Sequence, residues 1–335
     1  MSEPTLGVVA VGNALLDVLS NASEEFIAEQ HAQFGMEKGS MTLIDEKRAV
    51  DLYAMMDAGI ETSGGSAANT MAGFASCGGK GGFIGKIADD QLGKIFAHDI
   101  KTLGLTFETT PLAVGAPTGR CLVLITPDAQ RTMNTFLGAS VELSPNDIDE
   151  DLIAQAKITY LEGYLFDKEQ AKSAFIAAAE AAHANGHRVA LTLSDPFCVD
   201  RHRSDFLRLV ENHVDILFAN EDEIKSLFMQ ENFDDAVSAV SKNVEVAAIT
   251  RSEKGAVIIA GDQRITVKAE PVETVVDTTG AGDQFAAGFL YGYTEGEDLA
   301  TCGRYGAIAA AEVISHVGPR PLVRLADLLK EKKAA

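Results

Sequence analysis

Short apolar runs separated by helix-like stretches are the feature that most constrains the fold of this chain. The runs are rich in Val, Ile and Leu and have the length of strands buried on both faces. They are Leu6–Val11, Ile158–Leu161, Val189–Leu193, Ile216–Ala219, Val246–Thr250 and Ala256–Ala260. Between them, Lys168–Asn185 and Glu221–Met229 show helical spacing and stop signals. The alternation predicts an α/β fold in which helices cover a mostly parallel sheet.

Two segments depart from this alternation, at residues 17–44 and 105–136. In both, β-favouring residues alternate with polar ones and with Gly, Pro and Thr. We expect them to pair into a small second sheet that forms a lid over a cleft. Because no linker or internal repeat separates two cores, residues 1–335 are expected to form one domain.

The charge balance argues against a nucleic-acid partner. The chain has 28 basic and 49 acidic residues and a net charge of -21, which would repel a phosphate backbone. Its four cysteines are widely spaced and include no C-x-x-C pair, so neither zinc nor a disulfide framework is indicated. The N-terminus lacks the features of a signal peptide and no apolar run reaches membrane-spanning length, so we expect a cytoplasmic protein without a membrane partner.

The strongest functional signal is Asp277-Thr278-Thr279-Gly280-Ala281-Gly282-Asp283. A β-favouring run ends here and a helix begins, and the two glycines allow consecutive N–H groups to converge on an anion at the helix N-terminus. Asp283 is then close enough to accept a proton from an attacking hydroxyl, the arrangement that phosphoryl transfer needs. The alternative is that Asp283 only caps the helix.

Other nucleotide and nucleophile motifs are absent. Phe285 stands where the dinucleotide motif G-x-G-x-x-G requires its last glycine, and no G-x-x-x-x-G-K-[ST] is present. Ser66 lacks the flanking glycine of a nucleophile elbow. A nicotinamide-dependent enzyme on a similar sheet is therefore disfavoured.

Two signatures, which follow each other in the same order as in the family, give the chain its resemblance to the ribokinase (PfkB) family of carbohydrate and nucleoside kinases. One is Gly64-Gly65-Ser66-Ala67-Ala68-Asn69-Thr70, and the other is Asp277–Gly288. The resemblance implies a ribokinase-like three-layer αβα fold with a small β-sheet lid. It also implies catalysis by Asp283, with the backbone of Gly280, Ala281 and Gly282 as the anion hole.

The same resemblance implies ATP and Mg²⁺ as cofactors. Asn220 and Glu223 are similar to the family's N-x-x-E motif, which binds Mg²⁺ through water, although the two residues would equally make a capping box. Thr250 and Gly255 match the nucleotide-binding turn. Asp277 matches a position that binds a monovalent cation, K⁺, in several relatives.

The resemblance assigns the remaining site residues to catalysis and to the acceptor. Arg131 matches a lid position that reaches the transferred phosphate in relatives, the alternative being a solvated loop arginine. The acceptor would bind to Asn13, Asp17, Gly64, Gly65 and Asn69, with Asp17 holding vicinal hydroxyls unless it only caps a turn.

Within the family, the segments Gly12–Asp17 and Tyr160–Phe166 look most like the adenosine kinase branch. Tyr164 and Phe166 would stack on a purine, unless they are core aromatics. The predicted reaction is therefore transfer of the ATP γ-phosphate to the 5′-hydroxyl of adenosine. The alternatives are a ribokinase-like or fructokinase-like sugar kinase and a non-catalytic regulator that binds a nucleotide or a sugar. In each case we expect a monomer or a homodimer.

Overall fold

The computed structural model describes residues 4–128 and 130–334. The strands are β1 (Leu6–Val11), β2 (Leu15–Asn21), β3 (Met41–Leu43), β4 (Ile60–Gly64), β5 (Gly81–Ile84), β6 (Thr118–Ile125), β7 (Arg131–Gly138), β8 (Ala156–Glu162), β9 (Arg188–Thr192), β10 (Ile216–Asn220), β11 (Val246–Thr250), β12 (Ala256–Ala260) and β13 (Gln263–Val267). The helices are α1 (Glu24–Phe34), α2 (Glu46–Tyr53), α3 (Ser66–Ser76), α4 (Gln91–Thr102), α5 (Glu150–Ile153), α6 (Glu169–Ala184), α7 (Pro196–His213), α8 (Glu221–Phe228), α9 (Phe233–Val240), α10 (Ala281–Thr294), α11 (Leu299–Ile314) and α12 (Leu325–Ala334).

The large sheet has eight strands in the order β13-β12-β11-β10-β9-β8-β1-β5. Neighbouring strands from β11 to β5 in this spatial order, namely β11, β10, β9, β8, β1 and β5, pair in parallel. Strands β12 and β13 add an antiparallel edge. Successive side chains of β1 face opposite ways, so Val9 and Val11 pack against α5 to α9 while Val8 and Ala10 pack against α3, α4, α10 and α11. The predicted α/β class and three-layer arrangement are confirmed.

The second sheet has five strands in the order β3-β7-β6-β2-β4. Its boundaries differ from the two predicted segments. Strand β4 comes from outside both, and residues 22–40 contain the helix α1, which Ser23 caps by accepting the Phe26 N–H and which ends at Gly35 in a left-handed conformation. Residues 105–117 instead lie along the large sheet, where Thr106 bridges Gly82. Local capping therefore overrode the alternating pattern in the first segment.

Two further expectations concern the cysteines and the membrane. The four cysteines are free and buried. Within the described residues, none of the helices is both long and apolar enough to cross a bilayer.

Candidate active site

A cleft of about 1080 Å³ lies where the carboxyl ends of the parallel strands face the second sheet. In open α/β sheets this edge is where ligands bind. Of the predicted site residues, the structure brings the following to the cleft wall: Asn13, Asp17, Gly65, Asn69, Tyr164, Asn220, Glu223, Thr250, Gly255, Gly280, Ala281, Gly282 and Asp283. Gly64, Arg131, Phe166 and Asp277 are not part of this wall.

The predicted anion loop lies at the N-terminus of α10. Gly280 caps the helix with a φ of 79°, and a Cβ there would lie 2.7 Å from Pro319 Cα. At Gly282 the opposite holds, since no atom other than those of its chain neighbours and of the adjacent backbone of α10 lies within 4 Å of the position of a Cβ. Glycine at 282 therefore leaves room on the cleft side of a helix N-terminus, where an anion is favoured. The Ala281 N–H donates to the Thr278 carbonyl at 3.2 Å, so the amides of Gly282 and Asp283 are better placed as donors to a ligand.

Asp283 does not cap its own helix. The cap residue is Gly280 and makes no side-chain capping bond, while the Asp283 carboxylate accepts a hydrogen bond from Ser66 Oγ of α3 at 2.6 Å. Burial deep in the cleft raises the pKa of Asp283 to about 7, hydrogen bonds from Ser66 and Asn69 lower it, and the charge of Asp17 raises it. A carboxyl with a pKa near neutrality is suited to accept a proton during catalysis.

Asp17 on β2 lies beside the first glycine of the Gly64-Gly65 pair. A Cβ at Gly64 would come within 2.4 Å of both Asp17 carboxylate oxygens, so this glycine provides the space that the carboxylate occupies. Burial raises the pKa of Asp17 to about 6, and the charges of Arg320 and Arg131 lower it. The Asp17 carboxylate is not a turn cap, since it lies inside a strand and faces the cleft.

Asn13 follows β1 and is held in place by protein partners. Its Nδ2 donates to Glu162 Oε1 at 2.7 Å, and its Oδ1 accepts from Ser140 Oγ at 2.9 Å. Glu162 also accepts the Ala67 N–H at 2.8 Å, and burial raises the Glu162 pKa to about 7. Asn13 and Glu162 thus fix the junction between β1, β8 and α3.

The second sheet covers one end of the cleft with apolar side chains. They are Leu15, Met41, Leu43, Cys121, Met133 and Leu137. Asp17 lies on β2 of the same sheet, in register with Cys121 on β6, and Asn69 lies on α3. Together these residues line a compartment that combines an apolar wall with two polar side chains. We call this compartment the acceptor half of the cleft.

Asn220 and Glu223 form a full capping box at the start of α8. The Asn220 N–H and Nδ2 donate to the two Glu223 oxygens at 2.9 and 2.6 Å, and the Glu223 N–H donates to Asn220 Oδ1 at 2.8 Å. Burial raises the Glu223 pKa to about 7, and the charges of Asp195 and Asp222 add to this. No cluster of three or more His, Cys, Asp or Glu side chains suited to direct metal binding occurs in residues 4–128 and 130–334.

Thr250 is the last residue of β11, and Gly255 immediately precedes β12 in the turn between these two strands. Gly255 has a φ of 84°, and a Cβ there would lie 2.0 Å from the Val267 carbonyl, so packing against β13 already requires glycine. An apolar slot lies nearby, lined by Val272, Val275, Ala307, Ala310, Ala311 and Ile314. We call this end the nucleotide half of the cleft.

The structure corrects the interpretation of Arg131 and Asp277. Arg131 is the first residue of β7 rather than a solvated loop residue, and its Nη2 lies 2.7 Å from Asp277 Oδ2, with both side chains 8% exposed. The Asp277 carboxylate also accepts the N–H groups of Thr279 and Gly318, at 3.0 and 2.9 Å. A carboxylate already neutralised by a guanidinium does not fit the role of a K⁺ ligand.

The prediction that Phe166 stacks on a purine is also corrected. Phe166 is 2% exposed and stacks on Phe206 of α7 with ring centroids 4.4 Å apart, because the turn after β8 directs it into the core. Tyr164 does line the cleft, but its hydroxyl donates to the Ser194 carbonyl at 3.3 Å and the nearby charges are Asp195, Asp283 and Glu223. Neither aromatic ring lies on the apolar wall of the acceptor half.

Sequence reasoning missed several residues at the site. Ser66 fell inside a quoted motif but was given no role, and neither Glu162 nor Arg320 was named as a site residue. Glu162 had a usable signal, since it is a carboxylate at the carboxyl end of a buried strand. Arg320 follows α11, and its Nε donates to Asn69 Oδ1 at 3.0 Å. Its signal was weaker, because the contact joins residues 251 positions apart.

Comparisons with known proteins agree with this geometry. The model of the pfkB family carbohydrate kinases matches residues 48–324. An adenosine kinase structure from Sinorhizobium meliloti is 48% identical, with 98% of this chain and 99% of that chain covered and a TM-score of 0.90. A probable sugar kinase structure from Rhizobium etli CFN 42 is 45% identical, covering 99% and 100%, with a TM-score of 0.92.

A more distant relative is adenosine kinase from Saccharomyces cerevisiae, which is 27% identical over 338 residues, 94% of this chain and 96% of that protein. The fold, the glycine loop and these matches lead to one assignment. The chain belongs to the pfkB family of carbohydrate kinases and is an ATP-dependent kinase of sugars or nucleosides.

Proposed function

We propose that this kinase transfers the γ-phosphate of ATP to the 5′-hydroxyl of adenosine. The observation that carries the proposal is the mixed lining of the acceptor half of the cleft. It offers the Asp17 carboxylate to vicinal hydroxyls, and around that carboxylate the second sheet presents Leu, Met and Cys side chains. A nucleoside has a ribose for the carboxylate and a largely apolar base for the apolar side chains, whereas a free hexose would leave hydroxyls unpaired against them.

In the proposed reaction, Asp283 accepts the proton of the acceptor hydroxyl. The hydroxyl oxygen forms a bond to the γ-phosphorus, and the bond from that phosphorus to the β–γ bridging oxygen breaks, releasing ADP. The amides of Gly282 and Asp283 hold the equatorial oxygens of the phosphoryl group at the N-terminus of α10. Ser66 keeps the Asp283 carboxylate oriented towards this point.

The donor ATP fits the remaining space. Its base would occupy the apolar slot against α11, and its triphosphate would extend towards the open side of Gly282. Glu223 would hold Mg²⁺ through water, since both of its oxygens already accept from Asn220. When bound, Mg²⁺ neutralises phosphate charge, which this acidic cleft cannot do alone.

A second candidate is a sugar kinase of the same family. The observation that favours it is the 45% identity to a probable sugar kinase over the whole length. A sugar would use the same Asp17 carboxylate and the same Asp283 base. The two candidates differ only in what the apolar wall contacts.

We also propose that the second sheet acts as a lid in a single domain. It carries the apolar wall, and a closed wall would exclude water from the phosphoryl group. The lid would consist of β2, β3, β6 and β7, which overlap the two segments predicted from the sequence, and of β4, which lies outside them.

The acceptor is tested by a coupled ADP-release screen across adenosine, other nucleosides, ribose and fructose with Mg-ATP. We expect the highest kcat/KM for adenosine. Equal or higher kcat/KM for a free sugar would replace adenosine by that sugar and leave the mechanism intact. No ADP release above the rate without acceptor, for every compound, would remove the kinase chemistry proposed for this cleft.

The base is tested by Asp283→Asn, which keeps the side-chain size. We expect kcat to fall by at least about 10²-fold, the scale for loss of a positioned base, with the Kd of ATP nearly unchanged. Asp234→Asn, an exposed acid on α9, is the matched control and should behave as the wild type. Turnover of Asp283→Asn close to that of the control would exclude Asp283 as the base.

A further inference from the structure

Arg320 lies behind the acceptor half, in a segment that no site prediction included. The segment Gly318–Arg320 contacts both functional ends of the site. The Gly318 N–H donates to Asp277, and the Pro319 carbonyl accepts from Gln284 Nε2 at 2.9 Å and packs against Gly280. Arg320 itself extends from this phosphate side to Asn69 in the acceptor half.

The guanidinium of Arg320 holds two side chains there. Its Nε donates to Asn69 Oδ1 at 3.0 Å, and its Nη1 donates to Ser63 Oγ of β4 at 2.8 Å. Its Nη2 is shielded from solvent and has no hydrogen-bond partner among the described residues. A charged group kept in this position at the cost of an unpaired NH₂ group indicates a role beyond packing.

The bond to Asn69 decides which way the Asn69 amide points. An amide has an oxygen on one side and an NH₂ group on the other. Because Arg320 can only donate, the Asn69 oxygen must face Arg320, and the NH₂ group is left to face Asp283, whose pKa it lowers. A flipped amide would place the Asn69 NH₂ group against the Arg320 N–H, and the Asn69 oxygen against the Asp283 carboxylate.

The charge of Arg320 acts on a second residue. It attracts the carboxylate of Asp17, and together with Arg131 it offsets the effect of burial on the Asp17 pKa. The other titratable groups near Asp17 are Asp283 and the buried thiol of Cys121, and the Asp17 charge raises the pKa of both. Arg320 thus opposes a local excess of negative charge.

We propose that Arg320 is a positioning residue for the acceptor: it orients Asn69 towards Asp283 and places its positive charge beside Asp17. The inference rests on the roles proposed above for Asp17 and Asp283. It does not require that the acceptor be adenosine, so it is tested with whichever compound gives the highest kcat/KM.

Two variants separate the two actions. Arg320→Met removes both the charge and the N–H fork, whereas Arg320→Lys keeps the charge and loses the fork. For Arg320→Met we expect an acceptor KM at least about tenfold higher and a kcat about tenfold lower, with the KM of ATP within about twofold of the wild type. Arg304→Met, on the exposed face of α11, is the control that should change none of these.

The pH dependence of kcat/KM for the acceptor provides a readout that packing alone would not move. Activity needs both Asp17 and Asp283 ionised, so it falls on the acid side. Loss of the Arg320 charge makes ionisation of Asp17 harder and brings its pKa closer to that of Asp283, so the acid limb should move to higher pH and become steeper in Arg320→Met. In Arg320→Lys the limb should keep the position and slope of the wild type while kcat still falls.

A double-mutant cycle tests the action through Asn69. If Arg320 acts through this amide, Arg320→Met should lower kcat little further in an Asn69→Ala background. Fully additive losses together with an unmoved acid limb would overturn the inference, as would equal losses of acceptor and ATP affinity in Arg320→Lys. If Asp283→Asn is inactive while Arg320→Met matches the wild type, the Arg320 inference alone fails. If Asp283→Asn is fully active, the proposed function fails.

Discussion

Asp17, Glu162, Glu223 and Asp283 all line the cleft, and burial raises the pKa of each. The pKa reaches about 6 for Asp17 and about 7 for the other three. A polyphosphate entering such a site meets negative charge on several sides. Backbone N–H groups and a metal ion must supply the attraction, because the overall charge of -21 opposes it.

At the residue scale, this argument predicts the effect of Gly282→Ala. The added Cβ would meet no atom beyond its chain neighbours and the adjacent backbone of α10, so the fold should be as stable as the wild type. The methyl group would nevertheless occupy the space beside the helix N-terminus that we assign to the phosphoryl group. We expect kcat/KM for ATP to fall at least about tenfold, with an unchanged melting temperature.

Gly73→Ala is the matched control for the same chemical change. In α3 the new Cβ would lie 1.9 Å from Gln284 Oε1 and 2.8 Å from Ala287 Cβ of α10. Overpacking of this kind costs roughly 1–3 kcal/mol, so this variant should melt at lower temperature. An active Gly282→Ala enzyme, or one as destabilised as Gly73→Ala, would contradict the assignment of the anion site.

At the scale of elements, β7 is joined to the loop before α10 through Arg131 and Asp277. Removing one partner of a buried ion pair is costly because the other charge is left without a counterion. In Arg131→Gln, the Asp277 carboxylate should become less ordered. The hydrogen bonds that it accepts from the N–H groups of Thr279 and Gly318 should weaken with it. We expect amide hydrogen exchange in residues 276–280 and at 318 to become at least about tenfold faster.

Arg120→Gln, on the adjacent strand β6, serves as the control because Arg120 lies over the ring of Tyr53 rather than near α10. It should leave exchange in both segments unchanged. Unchanged exchange in Arg131→Gln as well would mean that the ion pair does not hold the second sheet to the phosphate loop.

At the scale of the whole molecule, the buried acids make stability depend on pH. An acid whose pKa is higher in the folded state holds a proton that the unfolded chain releases. Its contribution to the free energy of unfolding is fully present below the unfolded pKa and is lost as pH rises through the folded pKa. For the four cleft acids that window extends from about 4 to about 7. Acids with a lowered pKa, such as Asp128 and Glu221, change the stability mainly at pH values below this window.

We therefore expect the free energy of unfolding of the ligand-free protein to fall by at least about 2 kcal/mol between pH 5 and pH 8, given about 1.36 kcal/mol per unit of pKa shift. Urea denaturation at several pH values measures it. Asp283→Asn should give a shallower decline, which separates the buried acid from general charge repulsion. Stability that is constant or rising over this range would contradict the raised pKa values.

Short-range patterns were enough to predict much of this protein from its sequence. Hydrophobic runs located the central strands, and glycine spacing located the loop at the start of α10, because both depend on neighbouring residues. The Asn220–Glu223 capping box was predicted for the same reason. The helix α1 was missed even though its cap and terminal glycine are local, since the strand-like pattern was given more weight.

Long-range contacts decided the rest of the site. Ser66 meets Asp283 across 217 positions and Arg320 meets Asn69 across 251, and no local pattern marks either pair. The same holds for the burial of Phe166 and for the partner of Asp277. The sequence by itself determined which elements form and where a phosphate could bind, because those follow from local backbone geometry and periodicity. Only the tertiary structure decided which side chains share the cleft, because that depends on how distant elements pack together.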